Sequence, residues 1–351
     1  MHYRVLSTSD ETAWHRYLDS IPHKTLVHYP CYARIYERYG DGAAECFVYE
    51  DGDSLVLYPY LRRLVPEAAS CSDIITPYGY GGFIYRCEPN RFPKNLIADF
   101  RQAFEEYACS TRTISEFVRF HPLLANHEHC IGLMDHVKLS SNNIFLDLRV
   151  GKNALFQGYR RSYKTCLRKA ENSGVTVDFA SHDWPLDAFF NMYHINMEDK
   201  KQTGYFNFRR SFLDGLAEEI PNNLLSVVAR CGSEILSGAL FLQSERFLDY
   251  FLAASDLSNL KLYPNHFLIH KTADWAIDNG FEFLQLGGGH ESLLFFKHGF
   301  GNDYRPYYIG THVFDSDTYK SLSVAHWLRN DQQLTSDNAY FPAYRAEFPT
   351  D

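Results

Sequence analysis

Lys297 stands in the stretch ESLLFFKHGFG, Glu291 to Gly301, among Leu293, Leu294, Phe295, Phe296 and Phe300. An ammonium among apolar side chains is rare unless it is paired or used. Two readings are open from the residues alone. The long stem can cover the Phe cluster while the charged head stays in water. Alternatively, apolar walls lower the local dielectric, so the charge acts strongly on an oxyanion forming beside it. On a helix Lys297 shares a face with Leu293, Leu294 and Phe300. Burial lowers a lysine pKa, whereas developing negative charge favours the protonated form. If the second reading holds, the chemical role is that of a cation and not of a general base.

A second cluster lies in YRRSYKTCLRKAENSG, with Arg160, Arg161, Lys164, Arg168 and Lys169. If the segment is one helix, Arg160, Lys164 and Arg168 line up at i, i+4 and i+8. Such a stripe suits the phosphates of a nucleotide-linked or RNA substrate. It equally suits a solvated face, with Arg168 and Lys169 favoured near a helix C-terminus. In TPYGYGG, Tyr78 and Tyr80 alternate with Gly79, Gly81 and Gly82. Glycines permit close backbone approach, and tyrosines offer flat faces with polar tips, so this loop can floor a sugar or peptide site.

Other chemistries find less support. HEHC, His127 to Cys130, has no partner cluster at metal-ligand spacing, so no metal site is expected. His121, before Pro122, is expected to be structural. Neither Cys166 nor Cys231 lies in a nucleophile-elbow context. LGGGH, Leu286 to His290, is neither a dinucleotide fingerprint nor a P-loop. A Q/R-x-x-G-x-G/A pyrophosphate loop is not evident, and no carboxylate pair stands out for hydrolysis.

The chain around these residues has 351 positions, which favours two domains over a single core. Hydrophobic residues make up 45% and charged residues 22%, the mix of an ordinary globular protein. A net charge of −9 argues against a dedicated nucleic-acid binder, so any RNA contact must rest on a local patch. The eight cysteines are scattered without a CxxC pair and read as reduced thiols. The polar N-terminal segment has no signal-peptide core and no apolar run reaches membrane-spanning length, so the expected location is the cytoplasm and no transmembrane segment is expected.

The elements follow from patterning. DETAWHRYLDSI and PCYARIYERYG read as helices, and AECFVYED with SLVLYPYLRRL as a hairpin around EDGDS. RFPKNLIADFRQAFEEYACS is an amphipathic helix, and TISEFVRFHPL and NNIFLDLRV are strands. From residue 153 the pattern recurs: the basic helix ending at Gly174, a strand, two helices, a meander of three strands, a helix, a strand and the Lys297 segment. After residue 310 come one more strand and a helix, and the tail FPAYRAEFPTD is expected to be poorly ordered.

Taken in order, several segments resemble the Fem-type (FemABX-like) peptidyltransferases, which are built from two GNAT-like domains. PYGYGG is one. RRSYKTCLRKAENSGV is similar to that family's basic helix ending in K-A-E-x-x-G-V. ILSGALFL with DYFLAAS and YPNHFLIHKTADWAIDNGFEFLQLGGG resembles its second-domain signature, and LLFFKHGFG its F-K-x-x-F-G. The resemblance covers nearly the whole chain, without the family's long coiled-coil insertion.

It implies an α/β (α+β) fold of two GNAT-like domains, each a mixed, mostly antiparallel sheet flanked by helices. Domain 1 would be discontinuous, 1–147 plus 311–351, and domain 2 would span 148–310. It implies transfer of an acyl or aminoacyl group to an amine of a cell-envelope saccharide or peptidoglycan-type precursor. The amine attacks a carbonyl directly, with Phe296 and Lys297 beside the oxyanion. Tyr250 matches a substrate-channel tyrosine. Lys201 and Tyr205 align with a substrate-binding Arg and Tyr, and Lys in place of Arg turns a bidentate fork into a point charge. Arg34 falls near a phosphate-contacting lysine. Tyr78, Tyr80, Arg160, Lys164 and Arg168 complete the expected substrate-binding set. No permanently bound cofactor is expected; the donor co-substrate would be an acyl-CoA or an aminoacyl-tRNA. The acceptor would be a small, lipid-linked or nucleotide-linked amine, and tRNA a possible partner. An aminoacyl-tRNA-dependent peptidoglycan aminoacyltransferase and a non-catalytic binder of an envelope precursor are the alternatives. The sequence does not fix the acyl group, the acceptor or the oligomeric state.

Overall fold

The computed structural model describes residues 2–68, 70–180, 184–199, 207–301, 303–332 and 340–348. The chain divides into two compact units, Met1–Ser140 with Tyr307–Asp351, and Ser141–Pro306. In chain order the elements are β1 (His2–Ser7), α1 (Glu11–Asp19), α2 (Pro30–Tyr39), β2 (Ala43–Asp51), β3 (Ser54–Leu64), β4 (Ser72–Ile75), β5 (Ile84–Arg86), α3 (Pro93–Ser110) and β6 (Thr113–Arg119). They continue with β7 (His136–Asp147), α4 (Lys152–Gly158), α5 (Arg161–Asn172), β8 (Val175–Ala180), α6 (Leu186–Asp199), α7 (Arg210–Glu219), β9 (Leu224–Cys231), β10 (Glu234–Gln243) and β11 (Phe247–Ser255). The last are α8 (Pro264–Asp278), β12 (Phe283–Gly287), α9 (Glu291–His298), β13 (Asp303–Val313) and α10 (Ser316–Arg329). The unit boundaries fall inside β7 and β13.

In the first unit the strands follow the order β1-β2-β3-β4-β6-β13, with β5 also on β3. All pairs are antiparallel except β4 with β6. The β2–β3 hairpin closes on Asp51 opposite Ser54, with Gly52 at φ 60, as the EDGDS turn predicts. Phe47, Tyr58, Phe100, Phe104 and Val118 form the core between this sheet and α3. One charged pair lies inside it. Arg101 donates to both oxygens of Glu116 at 2.9 and 2.7 Å, and the Tyr58 hydroxyl donates to the same carboxylate at 2.7 Å. These bonds satisfy the Glu116 carboxylate, which makes the buried pair tolerable, while the Arg101 Nε has no hydrogen-bond partner among the described residues.

In the second unit the order is β7-β12-β11-β10-β9-β8, antiparallel except β11 with β12. One face buries Leu248, Phe241, Leu284 and Leu286 with side chains of α5 and α8. Residues opposite one another across a ladder share a face. The row Phe145, Gln285, Asp249, Leu242 and Leu224 therefore lies on the other face. There Phe212 of α7 meets Phe251, and Asn196 of α6 binds the Ser255 backbone.

Two expectations are corrected. The basic segment is not one helix. It breaks after Gly158, because Tyr159 and Arg160 take extended ψ values of 146 and 139 and the Arg160 N–H bonds the Gly299 carbonyl at 2.8 Å. Glycine is a weak helix former, and a tertiary partner then outcompetes the intrahelical bond. Arg160 is thus the residue before α5, and only Lys164 and Arg168 keep helical spacing. The tail is also ordered across 340–348. Tyr344 is buried and its hydroxyl donates to Asp73 at 3.0 Å, while Arg345 donates to the same carboxylate at 2.6 Å. Asp73 is buried and also binds Arg63, so a charge the sequence does not reveal recruits the tail.

Candidate functional site

The site is assembled around α9. Before it runs LGGG, where Gly287 and Gly289 hold left-handed φ values of 75 and 140. Gly288 lies so close to β7 that a Cβ there would meet Asn143 Oδ1 at 2.8 Å. This tight turn aims the Gly288 carbonyl at α9, and the Lys297 Nζ donates to it at 2.5 Å. Lys297 is 5% exposed. Of the two readings of this lysine, a head in water is excluded. Desolvation lowers its pKa to about 7, and among the described residues no carboxylate compensates.

Tyr250 of β11 presents its ring to the same ammonium, 5.9 Å from centroid to Nζ. Burial pushes its hydroxyl pKa up. Phe296 packs against Tyr163, His266 and Phe300. Burial lowers the His266 pKa to about 4, so its ring is neutral at pH 7. Tyr163, from α5, donates its hydroxyl to the Phe296 carbonyl at 2.7 Å and lies against Gly299 where a Cβ would sit. With the Arg160–Gly299 bond, this ties the end of α9 to the start of α5.

Between β11 and β12 the sheet opens. Their parallel pairing covers Phe247 to Asp249 with Phe283 to Gln285, yet β11 continues to Ser255. Tyr250, and with it Lys297, stands at the point where the strands part.

The remaining expected residues divide. The Arg160 guanidinium lies 4.1 Å over the Phe295 ring and 3.5 Å from His298 Nδ1, so it borders α9. Lys164 donates to the Gln157 carbonyl at 2.9 Å, and Arg168 is exposed. In the first unit, Tyr78 gives its carbonyl to the Tyr32 and Tyr36 hydroxyls, and Tyr80 packs edge-on against Tyr307 at 4.9 Å. Arg34 is paired with Glu11 at 2.6 Å and bonds the Thr8 carbonyl. Lys201 and Tyr205 lie outside the described residues. Among the described residues no group of His, Cys, Asp or Glu could hold a metal ion. No described helix is long and apolar enough to cross a membrane.

Tyr163, Gly288, Asp249 and Gln285 escaped the sequence reading. The signal for Asp249 was available as a carboxylate inside the apolar strand FLDYFLAA. Desolvation pushes that carboxyl up to about 7. The role of Tyr163 depends on a contact 133 positions away and left no local trace.

Residues 157–298 match the acetyltransferase (GNAT) domain family. No curated protein matches the sequence at a significant level. Among solved structures, FemX shares the fold with a TM-score of 0.71 over 92% of this chain and 99% of its own, at 12% identity. The C-terminal domain of a putative lysylphosphatidylglycerol synthetase from Agrobacterium fabrum gives 0.55 over 89% and 94%, at 14% identity. A tandem GNAT protein from the clavulanic acid biosynthesis pathway gives 0.52 over 89% and 98%, at 8% identity. The chain therefore has the mixed α/β fold of the Fem-type, GNAT-like proteins. Lys297, Phe296 and Tyr250 all lie within the residues that match the acetyltransferase (GNAT) domain family.

Proposed function

We propose that the protein is an N-acyltransferase that moves an acyl or aminoacyl group onto an amine of a cell-envelope saccharide or peptidoglycan-type precursor. The observation that carries this reading is the buried Lys297, held against Tyr250 where β11 and β12 separate within the matched GNAT domain. The amine lone pair attacks the donor carbonyl, the carbonyl oxygen becomes an oxyanion, and the leaving thiolate or alkoxide departs. An ammonium in a desolvated pocket is worth more to that oxyanion than one in water. The pKa of Lys297, lowered to about 7 by burial, rises as the oxyanion forms, so the proton stays where the charge is needed.

An acyl-CoA is the favoured donor, on the match to the acetyltransferase domain and the likeness to a tandem GNAT protein. An aminoacyl-tRNA is the second reading, favoured by the likeness to FemX and by Lys164 and Arg168 at helical spacing on α5, with Arg160 just before it. The test is turnover with acetyl-CoA, longer acyl-CoAs and a pool of aminoacyl-tRNAs, each against amino-sugar and muropeptide acceptors. Transfer from one donor, lowered a hundredfold or more in Lys297→Ala with the fold intact, is the expected result. Equal activity in that variant would return Lys297 to a packing role.

A further inference from the structure

The α6–α7 face of the second unit's sheet holds a cavity of about 130 Å³. Its floor is the sheet itself. Leu240 of β10 stands opposite Ser226 of β9, and both are buried. Leu224, two residues before Ser226 and on the same face, is buried beside them, as is Leu213 of α7. The rim is open, with Trp184 half-buried and Ala217 exposed. Gly238, two residues before Leu240, lets the Trp184 indole lie close against β10. A Cβ at that position would already touch the indole at 3.5 Å and the Phe189 ring at 3.1 Å. The indole thus forms one wall of the cavity.

The walls select the ligand. Among the described residues that line the cavity none is charged, so an ion would enter without a counter-charge. Leucine, alanine and proline side chains surround one hydroxyl, that of Ser226, and the Trp184 indole. The buried Nε1 of Trp184 has no hydrogen-bond partner among the described residues. Such groups are satisfied in folded proteins almost without exception. A buried water needs roughly two to four polar partners, and most of these walls offer none. An apolar cavity of about 150 Å³ takes up a single benzene ring. A ring of that size with one oxygen meets both demands. Its carbons cover the leucines, and its oxygen reaches the Ser226 hydroxyl or the Trp184 N–H.

We infer that this cavity is a binding site for a small, uncharged, single-ring alcohol or phenol. The site is distinct from the one around Lys297. Its walls come from α6, α7, β9, β10 and the residue Trp184 just before α6, whereas Lys297 and Tyr250 belong to α9 and β11. The inference goes beyond the acyltransferase reading and does not depend on it. An occupant touches both helices and the β9–β10 hairpin at once, so it fastens α6 and α7 to the sheet and stabilises the folded chain.

The test uses the full chain with phenol, benzene, benzoate and 1-hexanol as probes, read by ligand-observed NMR and by thermal denaturation. Phenol is expected to bind saturably and to raise the melting temperature. Benzene, which lacks the oxygen, should bind about tenfold more weakly, the factor that one hydrogen bond supplies, and benzoate should not bind. Of Trp184→Phe and Ser226→Ala, at least one should bring phenol down to the level of benzene while leaving benzene unchanged. Ala217→Trp, a change at the exposed rim that is expected to fold, should block both. Lys297→Ala should bind phenol as wild type does. No saturable phenol binding, phenol binding unchanged in all three cavity variants, or benzoate bound as tightly as phenol overturns the inference. So does loss of phenol binding in a folded Lys297→Ala, which would put the ligand at the other site. Tighter binding of 1-hexanol than of phenol would overturn the ring class in favour of a linear chain. Turnover plays no part in these measurements, so the acyltransferase reading stands or falls separately.

Discussion

The Nζ of Lys297 bonds the Gly288 carbonyl at 2.5 Å, so among the described residues this buried ammonium meets a neutral hydrogen-bond acceptor. A carboxylate in that place would hold the lysine charged but would also repel an oxyanion. A carbonyl orients the head and leaves its charge uncompensated.

That arrangement has a cost that pH exposes. The folded pKa of Lys297 lies near 7, below the ordinary value of 10.5, so between these values the unfolded chain binds more protons. Stability contributed through this group therefore rises with pH across that window and is lowest below pH 7. Lys297→Met should raise the melting temperature at pH 6 and have little effect at pH 10. Thermal denaturation of both proteins across this range checks it, and a uniform shift at all pH values would refute it.

Asp249 behaves with the opposite sign. Its folded pKa is raised from 3.8 to about 7, so here the native state binds more protons in the window between. Stability falls as pH rises from about 4 to 7. Asp249→Asn should therefore stabilise the protein by a few degrees at pH 8, at roughly 2–4 °C per kcal/mol for a domain of this size, and hardly at all at pH 4. Equal melting temperatures for wild type and variant at pH 8 would mean that the carboxylate is not desolvated.

Tyr163→Phe removes only the hydroxyl that donates to the Phe296 carbonyl at 2.7 Å. The stability loss should be about 1 kcal/mol, the usual net worth of one such bond. If α9 must be held in place for Lys297 to act, kcat should fall about tenfold while donor binding persists. Steady-state kinetics with the best donor separate the two effects.

In the first unit, Glu116→Gln leaves Arg101 without its counter-charge inside an apolar core. Breaking a buried pair from one side costs about 3–5 kcal/mol. Chemical denaturation should show that loss, and a change below about 1 kcal/mol would mean that the pair is relieved by water.

Much of this was legible beforehand. The β2–β3 hairpin announced itself by its turn residues, and α2 by Pro30 and Gly40 at its ends, because these signals are local. Lys297 stood out because a charge in an apolar run breaks local consistency, and Phe296 only through the resemblance. Local rules failed where a distant partner decided. Gly299 takes the Arg160 N–H and ends the expected long helix, and Asp73 draws in the tail through Tyr344 and Arg345. Asp249 and Gln285 become a pair only through the β11–β12 register, 36 positions apart in sequence.

The parting of β11 from β12 also sets a length. Past Asp249 the strand edge has no ladder partner on the β12 side until Ser255, whose N–H and carbonyl are both taken by the Asn196 side-chain amide. Asn196 thus ends the gap as a false strand. Between the two stops lie Tyr250 to Ala254, about 16 Å of backbone at the rise of an extended chain. A donor seated there would lie like a seventh strand cut to size: a thin arm with amide groups spaced for a ladder would fit along it, and a globular or branched arm of the same mass would not.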